Sequence, residues 1–120
     1  MEACRDELTL RPIDLATSSV AVAEQAGAVT GVVQVSVEDD TAELDKLFVD
    51  PDALRGGLGR LLFAWAVAEA RRLGAVGMTI DADPDAVPFY RRMGGVDDGV
   101  APSASIPGRV LPRLVVDLGN

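Results

Sequence analysis

The sequence predicts a single α+β domain in three layers, with a mixed, largely antiparallel central sheet flanked by helices. Three observations predict it: β-rich runs fill the first half of the chain, one stretch with a helical apolar period follows, and a strand, a second helix and two more strands complete the 120 residues. Because 48% of these residues are apolar, the chain can bury one modest core. We therefore assign residues 1–120 to one domain without a linker or an internal repeat.

The first elements predict an antiparallel unit. The β-rich runs 20–24 and 29–37 are separated by Gln25-Ala26-Gly27, which is the composition of a short hairpin turn. A third run, Thr41 to Val49, contains polar members that indicate one face turned toward a wet cleft.

The residues before this unit carry a weaker pattern. We interpret residues 1–19 as a remnant of an N-terminal helical region. In this interpretation residues 8–12 close one helix and residues 13–16 form another helical turn.

The most regular helical pattern begins at Leu58. Its apolar stripe recurs at 3.6-residue spacing and consists of Leu58, Leu61, Leu62, Trp65, Ala68 and Leu73. Arg71 and Arg72 suit the negative end of the helix dipole, and Gly74 is placed to end the helix. We expect Trp65 to pack in the core.

The remaining elements follow from local signals. Residues 75–80 predict a short apolar strand. Asp83 is a good N-cap and Pro84 suits the first helical position, so a second helix is predicted from there to Met93. Residues 96–120 predict a final hairpin.

Composition excludes several kinds of chemistry. The chain has no His, so a Ser-His-Asp triad, a Cys-His pair and a His-ligated zinc site are excluded. Asp81, Asp83 and Asp85 resemble the opening of a calcium loop. The pattern then fails, because Ala86 and Arg92 stand where that loop requires Gly and Glu. We expect no metal site.

The charge of the chain limits its partners. A net charge of −8 opposes binding to nucleic acids and to anionic membranes, both of which rest on basic surface. Residues 1–7 lack the apolar segment of a secretory signal, and the longest apolar run, residues 61–68, is too short to span a bilayer. We expect a cytoplasmic protein with neither nucleic-acid nor membrane partners.

Residues 55–60, Arg-Gly-Gly-Leu-Gly-Arg, lie between the third strand and the first predicted helix. Glycines let the backbone approach a ligand, and a helix start directs unpaired amides at one spot, so such a place binds phosphate. Arg55 and Arg60 add local positive charge. A plain glycine-rich loop has the same composition, and the spacing matches neither the dinucleotide fingerprint nor a P-loop.

At this point the chain resembles the GNAT superfamily of N-acetyltransferases. The signature of that family, Gln/Arg-x-x-Gly-x-Gly/Ala, opens the helix that binds the acyl-CoA pyrophosphate. Gly57-Leu58-Gly59 fits its last three positions, while Leu54 stands at the first position and Arg55 one place later.

Two further segments support the resemblance. Residues 42–50 resemble the fourth strand of the family. Residues 83–94 resemble its second motif, with Asp83 in place of the usual Asn. The resemblance covers about residues 20–118 and implies an acyl-CoA N-acyltransferase-like fold.

The resemblance implies direct transfer of an acetyl group from acetyl-CoA, the acyl-donor substrate, to a primary amine. In the family the fourth strand splays from the fifth, and pantetheine adds to the exposed strand edge while one amide polarises the thioester carbonyl. The implied donor-binding residues are Leu47, Phe48, Val49, Leu54, Arg55, Gly56, Gly57, Leu58, Gly59, Arg60 and Asp83.

The resemblance also implies two catalytic side chains. Tyr90 matches the phenol that protonates the departing thiolate, although a Tyr packed beside the sheet is the alternative. Glu43 resembles the position that removes a proton from the incoming amine, although a solvated carboxylate is the alternative. Asp45 and Asp81 are weaker candidates for this base.

The start of the chain departs from the family. Full-length members begin with a strand and one or two helices that build much of the acceptor pocket, and this chain is expected to lack the usual first strand and helix. A truncated start, a dimer that completes the fold, and a remnant that binds CoA without catalysis all remain open. An exposed strand edge invites pairing, so we expect a homodimer. The alternative functions are a catalytically inactive acyl-CoA-binding or interaction module and a purely structural domain.

Overall fold

The computed structural model describes residues 8–51, 57–103 and 106–119. Within these residues seven strands form one sheet in the order β1-β2-β3-β4-β5-β7-β6. All neighbouring strands are antiparallel except β4 and β5, which are parallel. The strands are β1 Leu8–Asp14, β2 Ser19–Gln25, β3 Ala28–Glu38, β4 Thr41–Val49, β5 Gly77–Asp81, β6 Val96–Pro102 and β7 Val110–Asp117, and the helices are α1 Leu58–Arg72 and α2 Val87–Arg92. The predicted α+β class with a mixed, largely antiparallel sheet is therefore confirmed, but the helices of the described residues form a layer on one face of the sheet and not on both, as the three-layer prediction required.

The helical interpretation of residues 8–16 was wrong. Residues 8–14 form strand β1, which pairs antiparallel with β2 along its whole length. The physical reason is a period of two: Leu8 and Leu10 pack against the core, and the residues between them point the other way. Pro12 is compatible with this strand because β1 lies at the edge of the sheet.

The chain therefore contains a first strand, which we had expected it to lack. A strand is present beside β2, and residues 15–18 connect the two strands directly. No helix lies between β1 and β2 in the described chain. The edge of β2, where we expected another chain to pair, is therefore covered by β1.

The predicted meander of β2, β3 and β4 is confirmed. Ala26 and Gly27 both have positive φ angles, 53° and 80°, as a type I′ hairpin turn requires. Strand β4 has the predicted bounds, Thr41–Val49. The final hairpin is also confirmed by the pairing of β6 with β7.

Helix α1 begins where predicted but buries a different stripe. Its buried residues are Leu58, Leu62, Phe63, Ala66 and Ala70. Leu61, Ala68 and Leu73 are exposed, and Trp65 is only partly buried at the margin of the core. The helix lies close to the sheet at Gly31, where an added Cβ would lie 2.7 Å from Leu62 Cδ1. Small residues on the helix permit this approach, so alanines occupy the seam that we had assigned to larger side chains.

The second predicted helix is divided in two. Asp83 caps a 3₁₀ turn, Pro84–Ala86, by accepting a hydrogen bond from the Asp85 amide at 3.0 Å, and α2 follows. The division arises because Pro88 has no amide hydrogen to donate to the carbonyl four residues earlier. Val87 donates to the Pro84 carbonyl instead, which is a 3₁₀ bond.

Both helices pack on one face of the sheet, which we call the helix face. The ring of Phe63 in α1 lies 6.4 Å from that of Phe89 and 6.0 Å from that of Tyr90 in α2. We call the opposite side of β1 to β4 the open face, because no helix of the described part of the chain covers it. Neither α1 nor α2 has the length and apolar character needed to cross a bilayer.

Candidate active site

Strands β4 and β5 run together briefly and then separate. Their parallel pairing joins Thr41 to Gly77, Ala42 to Met78 and Glu43 to Thr79. Beyond Glu43, β4 continues to Val49 paired with β3 alone, while β5 continues beside β7. The last half of β4 therefore presents a strand edge that no described strand occupies.

A β-bulge accompanies this separation. Leu44 is opposite Val35 and Lys46 is opposite Gln34, so Asp45 is the extra residue of β4. Because a bulge bends its strand and increases the local twist, it directs β4 away from β5. Partial burial raises the pKa of the Asp45 carboxyl, and a hydrogen bond with the Ser36 hydroxyl opposes that rise.

A cavity of about 570 Å³ lies between the second half of β4 and the two helices. We call it the helix-side cavity. Its volume is in the range of small-molecule sites. Its lining residues are Leu47, Val49, Gly57, Gly59, Arg60, Ala86, Phe89, Tyr90, Arg92 and Met93.

The start of α1 borders this cavity. Gly57, the N-cap, has a φ of 74°, a conformation that favours glycine. A Cβ added at Gly59 would lie 3.4 Å from the Phe89 ring, so a larger side chain there would enter the cavity. The first turn of α1 contains no acidic residue, and the first amides of a helix have no carbonyl partner within it. This end of α1 therefore favours an anion.

Two arginines make the cavity locally basic in a chain of net charge −8. Arg60 on α1 and Arg92 on α2 both line it and are exposed. Neither forms a salt bridge with a carboxylate of the described residues, whereas Arg91 beside them is paired with Asp97 at 2.6 Å. Both guanidinium groups are therefore available to an anionic ligand.

Tyr90 lies in the wall of the helix-side cavity. It is 7% exposed and packs against Phe63 and Phe89. Burial raises the pKa of its phenol to about 12. The phenol is therefore protonated throughout the physiological range and can donate to a group in the cavity.

Glu43 lines a different cavity, so the two predicted catalytic side chains are not brought into one pocket. This second cavity, of about 670 Å³, lies at the turn between β3 and β4 and is reached from the open face. We call it the acidic cavity. Its lining residues are Thr17, Ser36, Val37, Glu38, Asp39, Asp40, Thr41, Ala42, Glu43 and Thr79. Glu43 stands there on the last rung that joins β4 to β5.

Asp81, a weaker candidate for the base, is engaged elsewhere. Both of its carboxylate oxygens accept hydrogen bonds from Arg113, at 2.7 and 3.0 Å. Asp81 is therefore engaged in an ion pair, and it lines neither of the two cavities. Glu43 has no such partner among the described salt bridges.

The structure distributes the predicted donor-binding residues unevenly. Those that line the helix-side cavity, together with Tyr90, are Leu47, Val49, Gly57, Gly59 and Arg60. The side chain of Leu58 is buried in the core, that of Phe48 is 55% exposed on the open face, and that of Asp83 caps the 3₁₀ turn. Leu54, Arg55 and Gly56 lie outside the described residues.

Four lining residues were not predicted: Ala86, Phe89, Arg92 and Met93. Ala86, Phe89 and Met93 recur at helical spacing, so the stripe itself was visible in the sequence. Whether that stripe meets the core or a cavity depends on how far β4 departs from β5, which the sequence does not encode locally.

Comparisons with known proteins agree on one family. The family model described as an acetyltransferase (GNAT) domain matches residues 2–101. A search of curated protein sequences finds no match.

Solved structures with the same fold share little sequence with the chain. A GNAT family acetyltransferase from Elizabethkingia anophelis with acetyl-CoA bound has a TM-score of 0.78 at 12% identity, covering 93% of this chain and 99% of that one. Nourseothricin acetyltransferase has a TM-score of 0.76 at 20% identity, with coverages of 92% and 84%. The ribosomal-protein-S18-alanine N-acetyltransferase from Escherichia coli has a TM-score of 0.73 at 20% identity, with coverages of 89% and 73%.

Proposed function

Because the chain belongs to the GNAT acetyltransferase family, we propose that it transfers an acetyl group from acetyl-CoA to a primary amine by direct attack. One observation carries this proposal: the edge of β4 that does not pair with β5 lies beside the start of α1 and beside two arginines that have no salt-bridge partner among the described residues. That combination offers an extended, amide-containing anion both a strand partner and a phosphate site.

The donor would be held largely by main-chain groups. The backbone of Leu47, Phe48 and Val49 would pair with the amides of the pantetheine arm as a missing strand would, and one strand amide would polarise the thioester carbonyl. The first turn of α1 with Arg60 and Arg92 would bind the phosphates. The size of the cavity and the exposed cations support this fit.

Tyr90 would act on the sulfur. When the amine nitrogen attacks the thioester carbon, the carbon–sulfur bond breaks and the departing thiolate takes the phenolic proton, while the nitrogen, positively charged after attack, loses a proton that restores the phenol. Its place in the wall of the helix-side cavity supports this role. The high pKa keeps the proton on the phenol until the thiolate forms.

Glu43 would act on the amine from the other side of the sheet. The acidic cavity reaches the last β4–β5 rung, so an amine held there could approach the gap between the strands. Glu43 would take the ammonium proton, directly or through water. Glu38, Asp39 and Asp40 around the same cavity favour a cationic acceptor.

A second candidate function follows from the same separation of cavities. Because Glu43 and Tyr90 line different cavities on opposite faces, the chain could bind acyl-CoA without transferring the acyl group. This inactive module shares the donor site of the enzyme and differs only in having no acceptor chemistry.

Two measurements on the full chain distinguish these functions. Calorimetry with acetyl-CoA and CoA tests the donor site, and release of the CoA thiol in the presence of a panel of mono-, di- and polyamines tests transfer. Binding with turnover supports the enzyme, and binding without turnover on any amine supports the inactive module. If folded protein gives no binding signal with either ligand, both functions are wrong.

A further inference from the structure

The open face carries an apolar patch that crosses four strands. The register places Val22 opposite Val32 and Val32 opposite Phe48, so their side chains share one row of this face. Ile13 and Val20 are paired in the next row. We define the apolar patch by these residues: Ile13, Val20, Val22, Val32 and Phe48.

Exposure on this face differs sharply from that on the helix face. The large apolar side chains of β1 to β4 that are exposed, Ile13, Val29 and Phe48, all lie on the open face, at 43%, 52% and 55%. On the helix face, Val33 and Val35 are fully buried. An apolar surface that is continuous across four strands favours removal from water by a partner.

We propose that a second copy of this chain covers the apolar patch, face to face across a two-fold axis. The edges of the sheet are poor places for the copies to meet. Strand β1 carries Pro12 at one edge, and β6 carries Asp97, Asp98 and a register shift at the other. Proline, charges and irregular register on an edge strand all oppose pairing with another chain, which leaves the face.

The charges around the patch favour a copy of the same chain. Elsewhere two molecules of net charge −8 repel each other. The margin of the patch carries both signs instead: Arg11 pairs with Glu24 at 2.7 Å on β1 and β2, and Lys46 and Glu43 both lie on the open face of β4. In a two-fold contact each margin meets its own counterpart in reverse, so opposite signs can face each other.

The dimensions of the face are those of a small stable interface. Strands β1 to β4 contain 7, 7, 11 and 9 residues. At about 3.3 Å per residue and about 4.8 Å between strands, the whole face has a projected area of about 540 Å² per copy. The accessible area of such a corrugated surface is larger than its projection, and standard interfaces bury about 800 Å² per partner. Two sheets packed this way align their strands within about 30°.

The contact would also border the acidic cavity. Ser36, Glu43 and Thr79, which line that cavity, extend from the same face as the apolar patch. A second copy on the patch would narrow the path by which an acceptor reaches Glu43. The proposed dimer depends only on the open face and its charges, so the proposal is independent of whether the protein transfers acetyl groups.

Sedimentation velocity of the full chain over a concentration series tests the dimer. We expect the wild type to sediment as a dimer that dissociates on dilution. Val22→Lys places a cation at the centre of the patch in both copies, so it should raise the dissociation constant at least about 100-fold, comparable to the loss of a well-packed interface residue. Val100→Lys, at a side chain 65% exposed on β6, is the matched control and should leave the dimer unchanged.

A second variant distinguishes loss of the dimer from loss of the fold. Ile13 is 43% exposed on the edge strand, so Ile13→Lys should fold, as circular dichroism can verify, and should weaken the dimer as well. A wild type that is monomeric throughout the series overturns the proposal and leaves the patch to a different partner. A dimer that resists both patch substitutions, or one that Val100→Lys dissociates equally, places the interface elsewhere and overturns it too.

Discussion

Strand β4 presents different chemical groups on the two faces of the sheet. On the helix face the second half of β4 offers backbone groups and apolar side chains beside the start of α1. On the open face the first half of β4 offers a carboxylate among other carboxylates and hydroxyls. Backbone recognition tolerates changes of side chain, whereas side-chain recognition does not. Under the proposed function, the donor site therefore tolerates substitutions that the acceptor site does not.

The bulge at Asp45 is the boundary between these two uses of β4. Before it, β4 is held between β3 and β5, and its side chains alternate across the sheet. After it, no strand of the described residues pairs with the edge of β4 that faces β5. If the donor binds on the helix face and the acceptor on the open face, substitutions on the helix side of this boundary should affect the donor, and those on the open side should affect the acceptor.

The largest effect should come from filling the helix-side cavity. Gly59→Leu would extend a side chain from a Cβ position already 3.4 Å from the Phe89 ring, so we expect acetyl-CoA affinity to fall at least about 100-fold by calorimetry. Ala68→Leu adds the same side chain to an exposed position of α1 and should leave affinity unchanged. Retained binding in a folded Gly59→Leu protein would show that acetyl-CoA does not bind in this cavity.

Tyr90→Phe should separate binding from chemistry on the same side. The ring contacts with Phe63 and Phe89 remain, so the fold and the KM for acetyl-CoA should be preserved. Loss of the proton donor should lower kcat about 100-fold. Burial raises the pKa of Tyr90 to about 12. Because pH 10 is still about two units below that value, ionisation of Tyr90 should not lower the wild-type rate between pH 7 and pH 10. An unchanged kcat in the variant would show that the phenol is only packing.

Glu43→Gln should act on the acceptor alone. We expect kcat/KM for the amine to fall about tenfold at neutral pH, where the amine carries a proton that a base must remove. The difference should shrink as the pH approaches the amine pKa, because the free amine then needs less assistance. Asp40→Asn changes another carboxylate of the acidic cavity and should alter KM more than kcat. A fall in acetyl-CoA affinity instead would contradict the division between the faces.

Removing the arginines of the helix-side cavity should have a smaller effect. Arg92→Ala should weaken acetyl-CoA binding about tenfold at low salt and less at high salt, since an exposed guanidinium is screened. Arg72→Ala, at the far end of α1 and paired with Glu69, is the control. Equal salt dependence in both variants would mean that Arg92 acts through the general field of the protein.

Much of this division could be predicted from the sequence, and the remainder has identifiable physical causes. Strand β4 and the start of α1 follow from local patterns, because a strand with polar members and a glycine at a helix start each leave a local signal. Strand β1 was missed because two leucines at spacing two are too few to distinguish a strand from a helix end.

Errors of a second kind arose from tertiary packing. The buried stripe of α1 was misplaced because Ala66 and Ala70 carry little apolar signal, although their small size brings the helix onto the sheet. The separation of Glu43 from Tyr90 is likewise set by tertiary structure, because strand alternation places Glu43 on the open face while α2 holds Tyr90 on the helix face. Residue motifs identify chemical groups, but the twist of the sheet determines which groups share a cavity.

The smallest effect should come from the bond that fixes α1 to the helix face. Glu69 on α1 accepts a hydrogen bond from the Ser19 hydroxyl of β2 at 2.7 Å, and its side chain is only 11% exposed. The hydrogen bond from Arg72 is the main cause that lowers the pKa of Glu69 below its usual 4.5, with Ser19 adding to it. A carboxyl whose pKa is lowered by folding stabilises the protein above its unfolded pKa and loses that contribution as the pH falls through the folded value.

Glu69→Gln should therefore lower the free energy of unfolding by about 1 kcal/mol at neutral pH, in line with loss of a partly buried charged hydrogen bond. Urea denaturation should show the difference disappearing once the pH falls below the folded pKa of Glu69. Asp97→Asn breaks an exposed pair with Arg91 and should change stability little at any pH, because solvent screens it. If both variants lose the same stability, the attachment of α1 to the sheet depends on apolar packing alone, and the Ser19–Glu69 bond contributes nothing to the helix face.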